Sequence, residues 1–234
     1  MNSSFNPYAV GPVAEAPLET RTDFVRKTYY HLAGAILAFA ALETLLLSLI
    51  PAEAVFKWLQ AGKFNMLLVL GAFMGASFIA NKWAASSTSK STQYLGLGLY
   101  VVAEALIFLP ILFYAKAFDP SAIGKAGVVT GGLVLGLTAI AFTTKTDFTF
   151  LGGALKIGGI VAIGLVVSAM LFGIGLGTWF SVAMIVLAAG SILYTTSGML
   201  YHYAPGQHVA ASLALFASVA TMFYYVLRLF LSRD

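Results

Sequence analysis

The chain has 234 residues, of which 60% are hydrophobic and only 9% are Asp, Glu, Lys or Arg. A soluble domain is roughly a quarter charged, so this composition excludes an ordinary soluble protein and indicates a helical protein solvated by a lipid bilayer. The absence of cysteine excludes disulfides, Cys-ligated zinc, iron–sulfur clusters and thiol catalysis. The net charge of +4 is not gathered in a Lys/Arg stripe, so we expect no nucleic-acid partner.

The beginning of the chain differs from the rest. Met1–Thr20 contain three prolines, no Lys or Arg and no apolar core, so this stretch is not a secretory signal peptide. We predict a disordered polar tail over residues 1–23 and one membrane domain over residues 24–234.

Seven apolar runs follow, each near the ~20 residues that a membrane-spanning helix needs. They predict an all-α integral membrane protein with seven transmembrane helices. The Pro51–Lys63 segment between the first two runs predicts a short interfacial element. The seven runs are Tyr29–Ile50, Phe64–Ala80, Leu95–Ala115, Ala126–Thr144, Ile157–Leu176, Trp179–Leu200 and Val209–Leu231.

Glycines recur at a spacing of four residues inside two of these runs. Such spacing lets two helix backbones approach closely in lipid. Because glycine is frequent in transmembrane helices in general, two interpretations stay open for each pair: a tight helix crossing, or background composition. The pairs are Gly71/Gly75, Gly127/Gly131 and Gly132/Gly136.

Two carboxylates fall inside the apolar runs, Glu104 at the middle of the third and Glu43 about two-thirds along the first. A charge at such depth costs ~2.5–3.5 kcal/mol on insertion scales, so both are candidate functional residues. Two interpretations stay open for each. The carboxyl is either a protonated, structural group that hydrogen-bonds a neighbouring helix, or a hard oxygen ligand for a cation.

The histidines and serines give little support to a catalytic or metal site. His31 lies at the mouth of the first run, where an interfacial role is expected, and His202 and His208 flank one loop without acidic companions. Ser197 precedes these two histidines, but Thr195 stands where an intramembrane serine hydrolase carries the glycine of its oxyanion pocket. We therefore predict no enzyme activity, no metal site and no cofactor.

Four stretches of the chain resemble the Bax inhibitor family (transmembrane Bax-inhibitor-motif proteins). The most specific is a loop that is similar to the family's Thr-x-x-Asp-Phe-Ser-Phe-Leu-Gly motif and contains Lys145, Asp147 and Phe148. The matching stretches are Thr144–Gly152, Phe24–Tyr29, Ala189–Ser197, and Leu213–Ser218 with Tyr225–Leu229. Bacterial members, including modulators of a membrane-bound AAA protease, are the most similar kind.

The resemblance implies a bundle in which six helices pack around a central C-terminal helix, with the N-terminus in the cytoplasm of a bacterium and the bundle in its inner membrane. It also implies a calcium leak channel whose pH gating uses two aspartates that share a proton. In this sequence Thr195 and Ser218 stand at those two positions. We therefore expect cation (calcium) transport with weakened or absent aspartate-pair gating, along a path that involves Glu104, Glu43, Thr195 and Ser218.

The alternative is a non-conducting regulator that binds other membrane proteins, such as a membrane-bound AAA protease. The polar tail Met1–Thr20 favours this alternative, because an exposed tail is a convenient handle for a partner. The expected partners are thus the lipid bilayer, calcium ions and a membrane protease.

Overall fold

The computed structural model describes residues 11–62, 64–86, 89–144 and 146–232. These residues form eight α-helices and contain no β-strand: α1 (Leu18–Leu49), α2 (Ala52–Gln60), α3 (Asn65–Ala84), α4 (Lys90–Phe118), α5 (Pro120–Thr143), α6 (Leu151–Phe172), α7 (Gly177–His202) and α8 (His208–Leu231). Within the described ranges, seven of the helices, all except α2, are long and apolar enough to cross a membrane. The prediction of an all-α protein with seven membrane spans is confirmed.

The start of the chain is more ordered than the sequence predicts. Disorder is expected through residue 23, but α1 begins at Leu18 and a 3-10 turn precedes it. Val13 in that turn is fully buried, and its backbone N–H donates to the Tyr203 carbonyl at 2.9 Å. The polar residues before Tyr29 extend the helix beyond its apolar part, which hydropathy does not detect. Residues 1–10 lie outside the described part of the chain.

The interfacial element predicted between the first two spans is helix α2. It packs against α3 and α4 and contains no buried residue. The Asn65 side-chain amide donates to the Trp58 carbonyl and so links the end of α2 to the start of α3. Helix α3 runs on past Asn81 to Ala84, beyond the predicted apolar run.

Helices α3 and α4 pack closely at Gly96 of α4. Among the described glycines, it is the one whose added Cβ would meet backbone atoms of a neighbouring helix. A Cβ on Gly96 would lie 2.5 Å from the Ala84 nitrogen and 2.6 Å from the Ala80 carbonyl oxygen. Ala80 and Ala84 are themselves almost completely buried. Only a residue without a side chain fits at position 96, because backbone atoms occupy the space a Cβ needs.

The three predicted glycine pairs do not form such contacts. An added Cβ would meet no atom of the described residues within 4 Å at any of their positions, which are Gly71, Gly75, Gly127, Gly131, Gly132 and Gly136. The interpretation as tight crossings is therefore wrong for the packing seen here. These glycines reflect the general frequency of glycine in membrane helices.

Helix α8 is the most enclosed helix, since 67% of its most apolar stretch is buried. It contacts α1, α3, α4, α5 and α7. Helix α6 lies at the periphery, where it packs on α7 and α3, so the arrangement of six helices around α8 stays a prediction. Gly173 and Gly177 bound the short link from α6 to α7 with φ values of 68° and 61°, a conformation that glycine adopts without strain.

Candidate functional site

Glu104 lies on α4 at mid-helix and is 5% exposed. Tyr100, one turn earlier on the same helix, is equally well buried. The spacing of four residues puts both side chains on one face of α4, so the tyrosine hydroxyl can donate to the carboxyl. A buried acid with one hydroxyl donor retains further oxygen lone pairs for a second partner.

A cavity of about 340 Å³ opens beside this pair. Helices α3, α4, α6, α7 and α8 line it, and Leu59 of α2 lies at its edge. Thr221, Tyr224 and Tyr225 of α8 line it, while α6 and α7 contribute Met170 and Met184. The lining therefore combines one acidic residue and several hydroxyl-bearing residues with a largely apolar, aromatic wall.

The aromatic wall is built by ring contacts across three helices. The Phe108 ring meets the Tyr224 ring edge-on at 5.3 Å, and the Tyr224 ring meets the Tyr225 ring at 5.2 Å. On the other side, Phe73 contacts Tyr100 at 6.0 Å. These contacts hold the ring positions around Glu104, because packed aromatic side chains have few free rotamers.

Glu43 is also buried, at 5% exposure, but it lies apart from this cavity. Neither of its carboxyl oxygens has a hydrogen-bond partner among the described residues. Of the two carboxyls that the sequence places in one pathway, Glu104 therefore lines the cavity and Glu43 does not. Glu43 is buried on α1 instead.

The predicted hydroxyl positions lie at the interface of α7 and α8. Ser218 and Thr195 are each 6% exposed. The Ser218 hydroxyl lies 2.8 Å from the Ser191 hydroxyl, and it also donates to the Ala214 carbonyl at 3.0 Å. Ser191 precedes Thr195 by one turn, so the direct partner of Ser218 is Ser191, which the sequence analysis misses.

Neither Ser191 nor Ser218 is part of the cavity lining. Thr221 lines the cavity and follows Ser218 by three residues, which places both on one face of the helix. The Ser218 and Thr221 hydroxyls donate to the carbonyls of Ala214 and Ala217, one turn back on α8. Of Ser191, Ser218, Thr221 and Glu104, only Ser218 and Glu104 are predicted from the sequence, since the surroundings of the other two depend on how the helices pack.

The family-motif loop has a structural role. Asp147 accepts hydrogen bonds from the backbone N–H of Thr149 at 2.9 Å and from its hydroxyl at 2.8 Å, and thereby starts the 3-10 turn Phe148–Phe150. These two bonds, the backbone one first, hold the pKa of the Asp147 carboxyl below its usual value. Lys145, predicted with them, lies outside the described residues.

This loop is packed onto the end of α7. A Cβ on Gly152 would meet the Tyr194 ring at 3.0 Å, and one on Gly198 would meet the Thr149 methyl at 3.3 Å. The half-buried Phe148 belongs to the same 3-10 turn. The loop therefore fixes the α7 end that follows Ser191, and it touches no part of the cavity lining.

None of the three histidines lines the Glu104 cavity. The His31 Nδ1–H donates to the Lys27 carbonyl at 2.7 Å. The Nε2 atom of the same ring lies 3.2 Å from the Tyr94 hydroxyl oxygen. The His31 and His208 rings are 5.0 Å apart. Across the described residues no three His, Cys, Asp or Glu side chains gather closely enough to hold a metal ion.

Comparison with known proteins gives one consistent family. A family model described as "Inhibitor of apoptosis-promoting Bax1" matches residues 21–234. The "Modulator of FtsH protease YccA" of Escherichia coli strain K12 is 28% identical over 214 residues, which cover 90% of this chain and 91% of that protein. "Bax inhibitor 1" of Schizosaccharomyces pombe is 27% identical over 230 residues, 93% of this chain and 79% of that protein. "Protein lifeguard 4" of Mus musculus is 24% identical over 222 residues, 92% of this chain and 87% of that protein.

Proposed function

Because the chain belongs to the Bax inhibitor family, we propose that this multi-pass membrane protein is a cation leak, with calcium as the cation and Glu104 as its binding point. The observation that carries the proposal is the buried Glu104 in the lining of a cavity that also includes the hydroxyl-bearing residues Thr221 and Tyr224. Carboxylate and hydroxyl oxygens are the ligands that calcium prefers. The family assignment predicted from four sequence stretches is confirmed by the match over residues 21–234.

We propose that the second part of the route runs along the α7–α8 interface. Ser191 and Ser218 are hydrogen-bonded there, and Thr221, three residues beyond Ser218 on α8, lines the Glu104 cavity. Because the Ser191–Ser218 hydrogen bond joins α7 to α8, conduction along this route requires the two helices to separate at this level. Thr195, one turn further along α7, then extends the polar path.

The proposed gating differs from that implied by an aspartate pair. Hydroxyl groups at positions 195 and 218 do not titrate near neutral pH, so no shared proton links α7 to α8 there. We infer a flux with a shallow pH dependence rather than a steep, cooperative one. Glu43, whose carboxyl has no partner among the described residues, then contributes through folding and not as a ligand on the route.

We also propose a cytoplasmic N-terminus in a bacterial inner membrane. An odd number of spans puts the two chain ends on opposite sides of the bilayer. Arg26 and Lys27 lie on α1 before its apolar part, and cationic residues before a first span favour the cytoplasmic side. A relative in Escherichia coli carries the name "Inner membrane protein YccA".

The test is calcium flux from liposomes that contain the purified protein. Glu104→Gln should abolish the flux with little change in thermal stability, because glutamine keeps the volume and most hydrogen bonds but has no charge. Glu43→Gln is the matched control, since Glu43 is equally buried but lies outside the cavity lining. A Glu104→Gln variant that is stable and conducts like the wild type would refute the proposal.

A second candidate is a modulator of a membrane-bound protease. The specific observation in its favour is the relative named "Modulator of FtsH protease YccA", which aligns with 90% of this chain. The measurement is degradation of a membrane substrate by such a protease, with and without this protein in the same bilayer. A change in degradation rate that persists in Glu104→Gln would separate this function from cation flux.

A further inference from the structure

The lining of the Glu104 cavity is more apolar and aromatic than a small inorganic cation alone needs. Calcium is held by six to eight oxygen ligands. Besides Glu104 and the hydroxyl-bearing residues, the lining of this cavity includes Phe73, Phe108, Met170 and Met184. Apolar and aromatic walls with a few placed polar groups are typical of sites for small organic molecules.

We propose that the Glu104 cavity binds a hydrophobic organic cation, held by the buried carboxylate and by the surrounding aromatic rings. The cavity volume of about 340 Å³ falls within the range of sites for small organic ligands. Glu104 is 5% exposed, so an ionised carboxylate there favours a positive partner far more than one at the surface. Tyr100 lies one turn from Glu104 on the same face of α4, and a carboxyl that accepts from a tyrosine hydroxyl there still has lone pairs for a ligand.

The aromatic rings supply the second attraction. Ring faces attract cations within about 6 Å of the ring centre, and the effect grows when water is excluded. Phe73, Tyr100, Phe108, Tyr224 and Tyr225 all border the cavity. An organic cation with an apolar body loses little solvation on entering such a space.

The route into the cavity starts from the lipid. A second, apolar groove of about 550 Å³ lies between α2, α3 and α4. It shares Leu59, Val69, Phe73, Ile107 and Pro110 with the Glu104 cavity. Its rim includes Leu68 and Leu106, which are 63% and 51% exposed on surfaces that lipid covers.

A cation with an apolar body concentrates at the membrane interface and reaches this groove without crossing bulk protein. Movement of the shared side chains, Phe73 among them, would then admit it to the Glu104 cavity. This inference goes beyond cation flux, because equilibrium binding requires no conduction. The two proposals can therefore be refuted separately. Absence of calcium flux would leave binding of the organic cation untouched, and absence of binding would leave calcium flux untouched.

The test uses two probes of the same shape and opposite charge, tetraphenylphosphonium and tetraphenylborate. Binding to the purified protein in lipid nanodiscs is measured by equilibrium dialysis against empty nanodiscs. We expect saturable binding of tetraphenylphosphonium and no saturable binding of tetraphenylborate. Glu104→Gln should weaken tetraphenylphosphonium binding roughly tenfold or more, as the loss of a charged partner in a buried site implies.

Two further variants keep the test decisive. Glu43→Gln should bind the cation like the wild type, because Glu43 does not line the cavity. Tyr225→Leu removes an aromatic ring from the cavity wall and should weaken binding severalfold while Glu104 stays intact. This variant still tests the proposal if Glu104→Gln fails to fold. Wild-type affinity in both Glu104→Gln and Tyr225→Leu, or saturable tetraphenylborate binding of equal strength, would overturn the proposal.

Discussion

Replacing Gly96 by alanine should force α3 and α4 apart. The new Cβ would lie 2.5 Å from the Ala84 nitrogen and 2.6 Å from the Ala80 oxygen, where ordinary contacts begin at 3.4 Å. The obstructing atoms belong to the backbone of α3, so no side-chain rotation relieves the overlap. The two helices must separate by about 0.9 Å at this point or α4 must shift along its neighbours.

The magnitude follows by comparison with Gly98, two residues further along α4. An added Cβ at Gly98 meets nothing within 4 Å. Both substitutions gain the helix propensity of alanine over glycine, ~1 kcal/mol, so this gain cancels in the comparison. Overpacking costs ~1–3 kcal/mol, so Gly96→Ala should be about 2 kcal/mol less stable than Gly98→Ala, or roughly 4–8 °C in melting temperature.

The assay is thermal unfolding of both variants in the same detergent, followed by helical circular dichroism. Fluorescence of Trp83 adds a local readout, because its Cβ would lie 3.0 Å from the new methyl group. The separation of α3 and α4 should alter this emission in Gly96→Ala and leave it unchanged in Gly98→Ala. Equal melting temperatures for the two variants would refute the close approach.

Three further predictions concern topology, gating and the motif loop. Single cysteines at Ser3 and Ser232 should react with an impermeant maleimide from opposite sides of the membrane, and labelling of both from one side would contradict seven spans. Thr195→Asp combined with Ser218→Asp should make calcium flux steeply pH-dependent where either single variant does not; identical behaviour of all three would mean that the positions are not coupled. Because folding lowers the pKa of Asp147, the ionised carboxyl stabilises the fold above about pH 4. This contribution is lost as the pH falls through the folded-state pKa. Asp147→Asn should therefore make the stability of the protein less dependent on pH in the acid range.

The membrane helices could be predicted from the sequence because the bilayer imposes one rule on every span. A run of apolar residues near ~20 in length has no other stable environment, and all seven runs became helices. The polar first turns of α1, from Leu18 to Tyr29, escape that rule because they extend beyond the apolar part. They make tertiary contacts instead: Phe24 in these turns is buried, and its ring lies 6.5 Å from that of Tyr203.

Contacts between helices could be predicted much less well. Spacing within one helix suggested close crossings at three glycine pairs, whereas the actual crossing at Gly96 depends on Ala80 and Ala84 of another helix. The same limit applies to the site. A carboxyl inside an apolar run identified Glu104, but only the packed structure brings Thr221 and Tyr224 beside it.

The hydrogen bond of Val13 to Tyr203 affects the order in which parts of the molecule unfold when the N-terminal end is pulled. A pull on the residues before Val13 loads its hydrogen bond to Tyr203 before it loads any membrane-spanning helix, and one such bond contributes only ~1 kcal/mol. The next element in line is α1, which packs along α4 and the enclosed α8. An unfolding enzyme that pulls on this end of the chain would therefore first break a weak contact and would then have to extract a firmly packed helix.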